Sequence, residues 1–483
     1  MKLSKIFAGQ PDVEIKGLCL DSRKVKEGDM FFCLKGLEAD GHRFAGKAVE
    51  GGAACVVHSD DLEQVEGVSY IKVDDVNDEL NRVCDLFNGQ PSHKMTVFGV
   101  TGTNGKSTTT SIISDVYEKA GHPCGYMGTI AVRYGSVSRV PSLTTPDAVE
   151  IHDNLRQMAE HGMEAVAMEV SSHGLAMGRV DSVDFDVAMF TNMTYDHLDY
   201  HKTMEAYFEA KQILFKNMKP EGVAVLNADD ISFDELVKCT PCKIVSYGVN
   251  SDCDYRAEGV QLAPDGTEFT LVTDGGRYPV KTNLVALYNI YNLLGAIACM
   301  HQAGLAMEDM LPHLEKIAQV DGRMEVIDEG QDFHLIVDYA HTPDGFDKVF
   351  DYADEIAEGH KVYSVFGSAG KRDKVKRKVL GAIAGKHCDL VYLTEEDPRD
   401  ETAEEIADMI AAGVTESGGK SVFIENRYAA IEAAIKAAEP GDCVMILGKG
   451  AEQYLDRANG KEHWMGDVEA AREIVQELLR VKF

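Results

Sequence analysis

Cations are scarce in this chain: Lys and Arg number 48 against 80 Asp and Glu, a formal net charge of −32 over 483 residues. A surface that acidic repels nucleic-acid and membrane phosphates, which excludes polyanionic partners outside a local basic pocket. Long apolar runs are missing too. No stretch is long enough to span a bilayer, and Met1-Lys2-Leu3-Ser4-Lys5 has no apolar signal core behind it. A cytoplasmic location is expected, with no membrane or nucleic-acid partner. Internal repeats and low-complexity tracts are also absent. So is a second ligand pair at zinc-site spacing, which leaves Cys239-Thr240-Pro241-Cys242 as ordinary thiols. The eleven cysteines, an odd number, suit a reducing compartment where thiols act as small core residues.

What is present is a globular composition, 45% hydrophobic and 27% charged. A chain of 483 residues is too long for one core. Residues 1–90 mix short strand-like runs such as Met30 to Leu34 with turns, and Asn88-Gly89-Gln90-Pro91 forms a joint. From 91 to 320, apolar runs end in polar loops: Glu164 to Val170 leads into Ser-Ser-His-Gly, and Asp186 to Phe190 into Thr-Asn-Met-Thr. From 321 to 483, strand-like His334 to Val337, Val362 to Phe366, Leu390 to Leu393 and Val444 to Leu447 alternate with helical segments 377–386, 402–413 and 427–438. The expected fold is α/β in three domains: a smaller N-terminal α/β domain, a central P-loop ATPase-like doubly wound sheet, and a C-terminal Rossmann-like domain.

Gly99-Val100-Thr101-Gly102-Thr103-Asn104-Gly105-Lys106-Ser107-Thr108 stands between the apolar run Met95 to Phe98 and a helix-like stretch, Thr109 to Lys119. Glycines let backbone N–H groups and a helix N-terminus curl around phosphates, Lys106 reaches the terminal phosphates, and Ser107 can ligate magnesium. The spacing is a variant one, with Val100 where the first glycine usually falls. ATP use follows.

Thr191 to His201 crowds two histidines, His197 and His201, and two aspartates into a loop after a strand, a pattern suited to metal or phosphate. In the next segment Met204, Tyr207, Phe208, Leu214 and Phe215 form a helical apolar stripe with Lys211 at its centre. Such a lysine either snorkels to water or is buried as a neutral amine able to take up carbon dioxide as a carbamate, a carboxylate-like magnesium ligand. Glu169, at a strand end, is a second metal carboxylate candidate.

Further on, Lys371 to Lys378 puts six basic residues into eight positions after a glycine turn, a local anion site in an acidic chain. Glu396-Asp397-Pro398-Arg399 offers carboxylates and a guanidinium in one turn, suited to an amino-acid zwitterion, or else a solvated proline turn. Arg323 and Asp338-Tyr339-Ala340-His341 fall where the two later domains should meet.

Taken together these residues resemble the Mur ligase family of peptidoglycan synthesis, and within it the members that add the third residue of the peptide. The likeness runs nearly end to end, through Leu20 to Arg23, the Gly-Thr-Asn-Gly-Lys-Ser loop, Thr144-Thr145-Pro146, Glu169 to Leu175, Asn192 to His201, Lys211, Asn289 with Asn292, Asp321 to Arg323, Asp338 to Pro343 and Gly448-Lys449-Gly450. It implies an ATP-dependent ligase with catalytic Lys106, His197 and Lys211. ATP would contact Gly102 through Thr108, Asn292, Arg323, Asp338 and His341. Magnesium would be held by Ser107, Glu169, His197 and Lys211, the last as N6-carboxylysine. The partner UDP-N-acetylmuramoyl-L-alanyl-D-glutamate would meet Ser22, Thr144, Thr145, Ser171 and Arg179. A diamino acid would meet Arg372, Glu396, Asp397, Arg399, Gly448 and Glu452.

Two departures stand out: Met177 replaces a glutamine of the substrate site, and Ala451 replaces the histidine after Gly-Lys-Gly. Within the amino-acid motif Arg399, typical of diaminopimelate-adding members, is kept while Asp397 takes the place of asparagine. Meso-diaminopimelate and L-lysine therefore both remain open, and a monomer is expected. The alternatives are a folylpolyglutamate synthetase-like ligase with a pterin pocket in place of residues 1–90, or a non-catalytic sensor of nucleotide and cell-wall precursor.

Overall fold

The computed structural model describes residues 1–36, 39–263 and 266–481. Within them the strands form three sheets and a hairpin. The first sheet is parallel, in the order Gly17–Cys19, Asp29–Phe32, Cys55–His58, Ser69–Lys72. Its two inner strands are buried at every position, as parallel strands covered on both faces are.

The central sheet has eleven strands. Its parallel core runs Lys243–Gly248, Val223–Asn227, Val187–Phe190, Thr96–Thr101, Ala165–Glu169, Cys124–Met127. Successive residues turn to opposite faces. Phe98, Val100, Ala167 and Met189 pack toward helices Lys106–Lys119 and Leu287–Gln302, whereas Val97, Val166, Met168 and Phe190 pack toward helices Ala148–Glu160 and Met204–Lys216. Helix Leu287–Gln302 is apolar and buried continuously from Leu293 to Met300, so it lies inside the core rather than on it.

From Thr96–Thr101 the chain moves to Cys124–Met127 and Ala165–Glu169 on one side, then to Val187–Phe190 on the other. Such a reversal of strand order opens a crevice beyond the carboxyl ends of the strands. Into it lead the loop after Thr101, Glu169 and the loop after Phe190. The simple α/β pattern read from residues 91–320 misses both edges of this sheet. One carries the antiparallel Val132–Tyr134 and Val137–Arg139, and the other continues through Tyr255–Ala263 into antiparallel Gly266–Thr273 and Gly276–Thr282.

The third sheet runs Glu325–Val326, His334–Asp338, Cys443–Leu447, Val362–Phe366, Leu390–Leu393, Ser421–Phe423, parallel after the first pair. Helices Pro343–Ala357, Val375–His387 and Ala403–Glu416 cover one face, and Arg427–Ala437 with Asp467–Val481 the other. No helix among the described residues is long and apolar enough to cross a membrane. All eleven cysteines are free thiols, Cys239 and Cys242 included.

Helices Val375–His387 and Ala403–Glu416 cross backbone to backbone. A methyl group at Gly413 would press on the Lys378 carbonyl oxygen, and one at Gly381 on that of Ile410. Neither carbonyl can move without breaking its helix. Gly413→Val is therefore expected to cost about 3 kcal/mol, read as a lowered melting temperature by calorimetry. An unchanged melting point would contradict this packing.

Candidate active site

The phosphate-type loop takes its shape from two glycines. Gly102 sits at φ +141° and Gly105 at φ +88°, angles that side chains resist. A side chain at Gly105 would also collide with the Asn292 carboxamide. Helix Lys106–Lys119 starts directly after Gly105 without a side-chain cap, leaving its first N–H groups turned to the loop. The Lys106 Nζ donates to the carbonyl oxygens of Gly102 at 3.0 Å and Thr103 at 2.8 Å. Burial holds its amine below the ordinary lysine value, opposed by the negative charges of Glu169 and Asp196.

A cavity of ≈ 730 Å³ opens over this loop. Every residue expected to meet ATP or magnesium lines it, apart from Gly102. Thr144 and Ser171, expected on the precursor side, line it too. Its walls come from both the central and the third sheet. Arg323 Nη2 donates to Ser107 Oγ at 3.1 Å, and Asn104 Nδ2 donates to Asp344 Oδ2 at 2.8 Å. The Arg323 guanidinium lies 4.1 Å from the centre of the Tyr339 ring, which fixes its direction. Asp338 accepts from the backbone N–H groups of Met324 and Ala340, each at 2.7 Å, while burial raises its pKa. Burial likewise lowers His341, to about 4, so its ring is neutral at pH 7.

Lys211 is 1% exposed. Its Nζ donates to the Gly102 carbonyl at 2.6 Å and lies 4.4 Å from the centre of the Tyr207 ring. The snorkelling alternative fails, because the head is buried with its stem. Burial, reinforced by the nearby Lys106 charge, pushes the amine well below its ordinary value. Glu169 is held at both oxygens: Oε1 accepts from Tyr126 OH at 2.9 Å and Thr129 N at 2.8 Å, and Oε2 from Thr129 Oγ1 at 3.2 Å. The His197 Nε2 stands 3.3 Å from Asp196 Oδ2, and burial keeps the ring below its usual pKa. His201, although in the same loop, turns instead to Ser172 Oγ at 3.0 Å. Ser107, Glu169 and His197, a hydroxyl, a buried carboxylate and an imidazole lining the same cavity, are donors that suit a magnesium ion, and a buried lysine whose ammonium form is disfavoured suits a carbamate.

On the precursor side, Thr145 is buried behind the cavity. It donates to the Glu169 carbonyl at 3.0 Å and accepts from Ser171 N at 2.9 Å. Arg179 donates to the Thr145 carbonyl at 2.8 Å and, through Nη2, to the Met177 sulfur at 3.1 Å. The thioether standing in for glutamine thus still touches this arginine. Ser22 lies in the turn after Gly17–Cys19 and does not line the cavity.

Two of the expected amino-acid residues, Asp397 and Glu452, meet on a cation outside the expected set. Lys449 is completely buried and donates to Asp397 Oδ1 at 2.8 Å and Glu452 Oε2 at 2.5 Å. Arg399 pairs not with Asp397 but with Asp456, Nε to Oδ2 at 3.0 Å. The Glu396 carboxylate packs against Gly448, where no side chain would fit.

Most of the basic run is neutralised locally. Lys371 pairs with Asp400, Lys374 and the buried Arg377 with Glu401, and Lys378 with Glu416. Arg372 reaches Asp199 of the central unit at 3.3 Å. The anion site is narrower than the run suggested.

Burial, reinforced by Asp397, pushes the Glu396 carboxyl from 4.5 up to about 7, against the pull of Arg427, Lys449 and Lys376. Between those values the folded chain binds more protons than the unfolded one, so this group lowers stability as pH rises through that window. Glu396→Gln is expected to melt above the parent near pH 8 and to lose that advantage near pH 4. Calorimetry at the two pH values tests this, and an equal difference at both would refute it.

Besides Lys449, the sequence reading did not select Thr129, which tethers Glu169, or Tyr339, which backs Arg323. Thr129 carries no local signal, while Tyr339 was readable only as a neighbour of Asp338.

Comparison with known proteins agrees with this geometry. The Mur ligase middle domain matches residues 100–300, the Mur ligase glutamate ligase domain 322–450, and the Mur ligase family catalytic domain 14–87. The UDP-N-acetylmuramoyl-L-alanyl-D-glutamate–2,6-diaminopimelate ligase of Geobacillus kaustophilus is 42% identical over 452 residues, 92% of this chain and 91% of that protein. The enzyme of the same name from Bacillus cereus is 40% identical over 469 residues, 96% of this chain and 94% of its own. A solved structure of such a ligase aligns with a TM-score of 0.70 at 30% identity, covering 99% of both chains. With its nucleotide loop, buried lysine and three-part α/β architecture, this chain belongs to the Mur ligase family and is an ATP-dependent ligase.

Proposed function

We propose that the protein uses ATP to join meso-diaminopimelate to UDP-N-acetylmuramoyl-L-alanyl-D-glutamate. The observation that carries this reading is the sharing of one cavity by Lys106, Glu169, His197 and Lys211 on the phosphate side and Thr144 and Ser171 on the precursor side. A carboxylate and a triphosphate can meet there. An oxygen of the D-glutamate γ-carboxylate attacks the terminal phosphorus, the bond to ADP breaks, and an acyl phosphate forms. The α-amine of the diamino acid then attacks the acyl carbon, sheds a proton, and phosphate leaves.

In this reading Lys106 neutralises charge on the phosphoryl group in transfer. Asn292, Arg323, Asp338 and His341 orient the nucleotide from across the cavity. Ser107, Glu169, His197 and a carbamate on Lys211 would hold magnesium, which would supply charge neutralisation between two anions. The Lys211 amine, whose ammonium form burial disfavours, would attack carbon dioxide and release one proton to become that carbamate. Residues 1–90, with Ser22, take the uridine end; 91–320, with Thr144, Thr145, Ser171 and Arg179, take the muramoyl dipeptide; and 321–483 deliver the amino acid through Arg372, the Glu396 to Arg399 turn, Gly448 and Glu452. The enzyme acts in the cytoplasm as a monomer.

Two features support diaminopimelate over lysine. The named relatives are diaminopimelate ligases. Arg399 retains a guanidinium of the kind that suits a distal carboxylate, although its Nε is held by Asp456. The match over residues 14–87 counts against a pterin-binding ligase. The test is incubation with ATP, magnesium and the precursor, offering meso-diaminopimelate and L-lysine separately, with the product weighed by mass spectrometry. The diaminopimelate adduct and free phosphate are expected. An adduct with lysine alone, or phosphate release with neither, would overturn the proposal.

A further inference from the structure

The cavity over the phosphate-type loop has a second end. Asn292 packs on Gly105 of that loop, and Tyr288 precedes Asn292 by one turn on the same face of helix Leu287–Gln302, about 6 Å further from the loop. From the third unit, Asp344 accepts from Asn104 beside the loop, whereas Tyr352 follows eight residues later, about 12 Å along helix Pro343–Ala357. Tyr288, Val349 and Tyr352 all line the cavity there, and the Tyr288 ring packs on the core cluster to which the other two belong. The exposed Asp351 and Glu355 line the same end. Carboxylates repel phosphate but accept hydrogen bonds from an amine, so this end takes the uncharged part of a nucleotide.

Two features set Tyr288 apart. Its hydroxyl is buried yet has no hydrogen-bond partner among the described residues. Such a group costs stability unless something completes it. Burial, with the nearby Asp338 charge, pushes the phenol well above its ordinary pKa, so the hydroxyl keeps its proton and can donate. The second feature lies just upstream. Ala286, the residue before the helix, sits at φ +67° and ψ +141°, a conformation that side chains resist, and it too lines the cavity. This strained residue sets the entry of the helix, and with it the direction of Tyr288.

We propose that Tyr288 selects the nucleotide base, its O–H donating to the adenine ring nitrogen that in guanine carries a hydrogen. Asp351 and Glu355 lie on the side of the 6-amino group, where guanine instead presents a carbonyl that carboxylates repel. The inference rests on the nucleotide position proposed above, in which Asn292, Arg323, Asp338 and His341 hold the same molecule. The precursor and the amino acid play no part in it.

The experiment is calorimetric titration of magnesium-ADP and magnesium-GDP into the parent and Tyr288→Phe, with the melting temperature of each protein taken without nucleotide. Tyr288→Phe removes the hydroxyl alone. It is expected to weaken ADP binding by about tenfold and GDP binding by less than about twofold, which narrows the preference for adenine. Its melting temperature without nucleotide should equal or exceed that of the parent, because no bond within the protein is lost. Equal weakening of both nucleotides would put the hydroxyl on the sugar or in packing and overturn base selection, as would an unchanged affinity for ADP. Asp351→Asn with Glu355→Gln, both on the exposed rim, keeps the idea testable if Tyr288→Phe does not fold: GDP affinity is expected to rise by about threefold or more, and no rise would overturn the arrangement. A parent that binds no ADP would instead remove the nucleotide position itself.

Discussion

Lys211→Ala is expected to stay folded and to lose about a thousandfold or more in kcat/KM, the effect of deleting both a buried amine and the charge it carries once carboxylated. Ordinary lysine chemistry does not account for such a loss. As an ammonium, Lys211 would stand beside Lys106 with only the Gly102 carbonyl to accept from it, which burial disfavours. As a carbamate it would bring a negative charge to the cavity that Ser107, Glu169 and His197 also line. The truncated side chain leaves a space of carboxylate size, so formate, acetate or propionate should restore activity by about tenfold or more. Full activity in the variant would refute the carbamate. A dead variant that no short-chain acid rescues would limit Lys211 to packing.

Lys106→Ala is expected to be as damaging, about a thousandfold in kcat/KM, equivalent to about 4 kcal/mol of lost transition-state stabilisation. The amine now rests on two loop carbonyls, Gly102 and Thr103. These bonds hold it at the loop mouth, from which a phosphate oxygen can recruit it. Lys106→Arg should recover little, because the planar guanidinium cannot enter a loop shaped around a compact ammonium. Steady-state kinetics with varied ATP separate the contributions. A rise in KM for ATP with kcat unchanged would mean that Lys106 serves binding alone, contrary to the transition-state role.

Much of this was legible in the chain itself, for reasons of distance. The nucleotide loop is a contiguous device: strand, glycines and helix start within twenty residues, so its spacing can be read directly. The stripe around Lys211 was equally local. A lysine among Tyr207, Leu214 and Phe215 is flagged by helical periodicity, which left snorkelling and burial both open until the fold showed the head buried. Glu169 was visible as a strand-end carboxylate. The antiparallel edges of the central sheet were missed, although Tyr255–Ala263 alternates buried and exposed positions, because the alternating strand-helix rhythm on either side set the expectation.

The amino-acid end shows the opposite case. Lys449 is one residue of a glycine motif, and nothing near it in sequence except Glu452 gives its role. Its other partner, Asp397, lies 52 positions away. The basic run misled for the same reason. Asp400, Glu401 and Glu416, which pair with four of its cations, come from a different segment. A charge can be counted from sequence, but whether it is spent requires the fold.

The nucleotide cavity, finally, has walls from the central and the third sheet, joined there by Arg323 on Ser107 and Asn104 on Asp344. A molecule bound in that space acts as a crosslink between them. A ligand that touches both walls favours the arrangement in which they meet, so whichever ligand arrives first shapes the site left for the next.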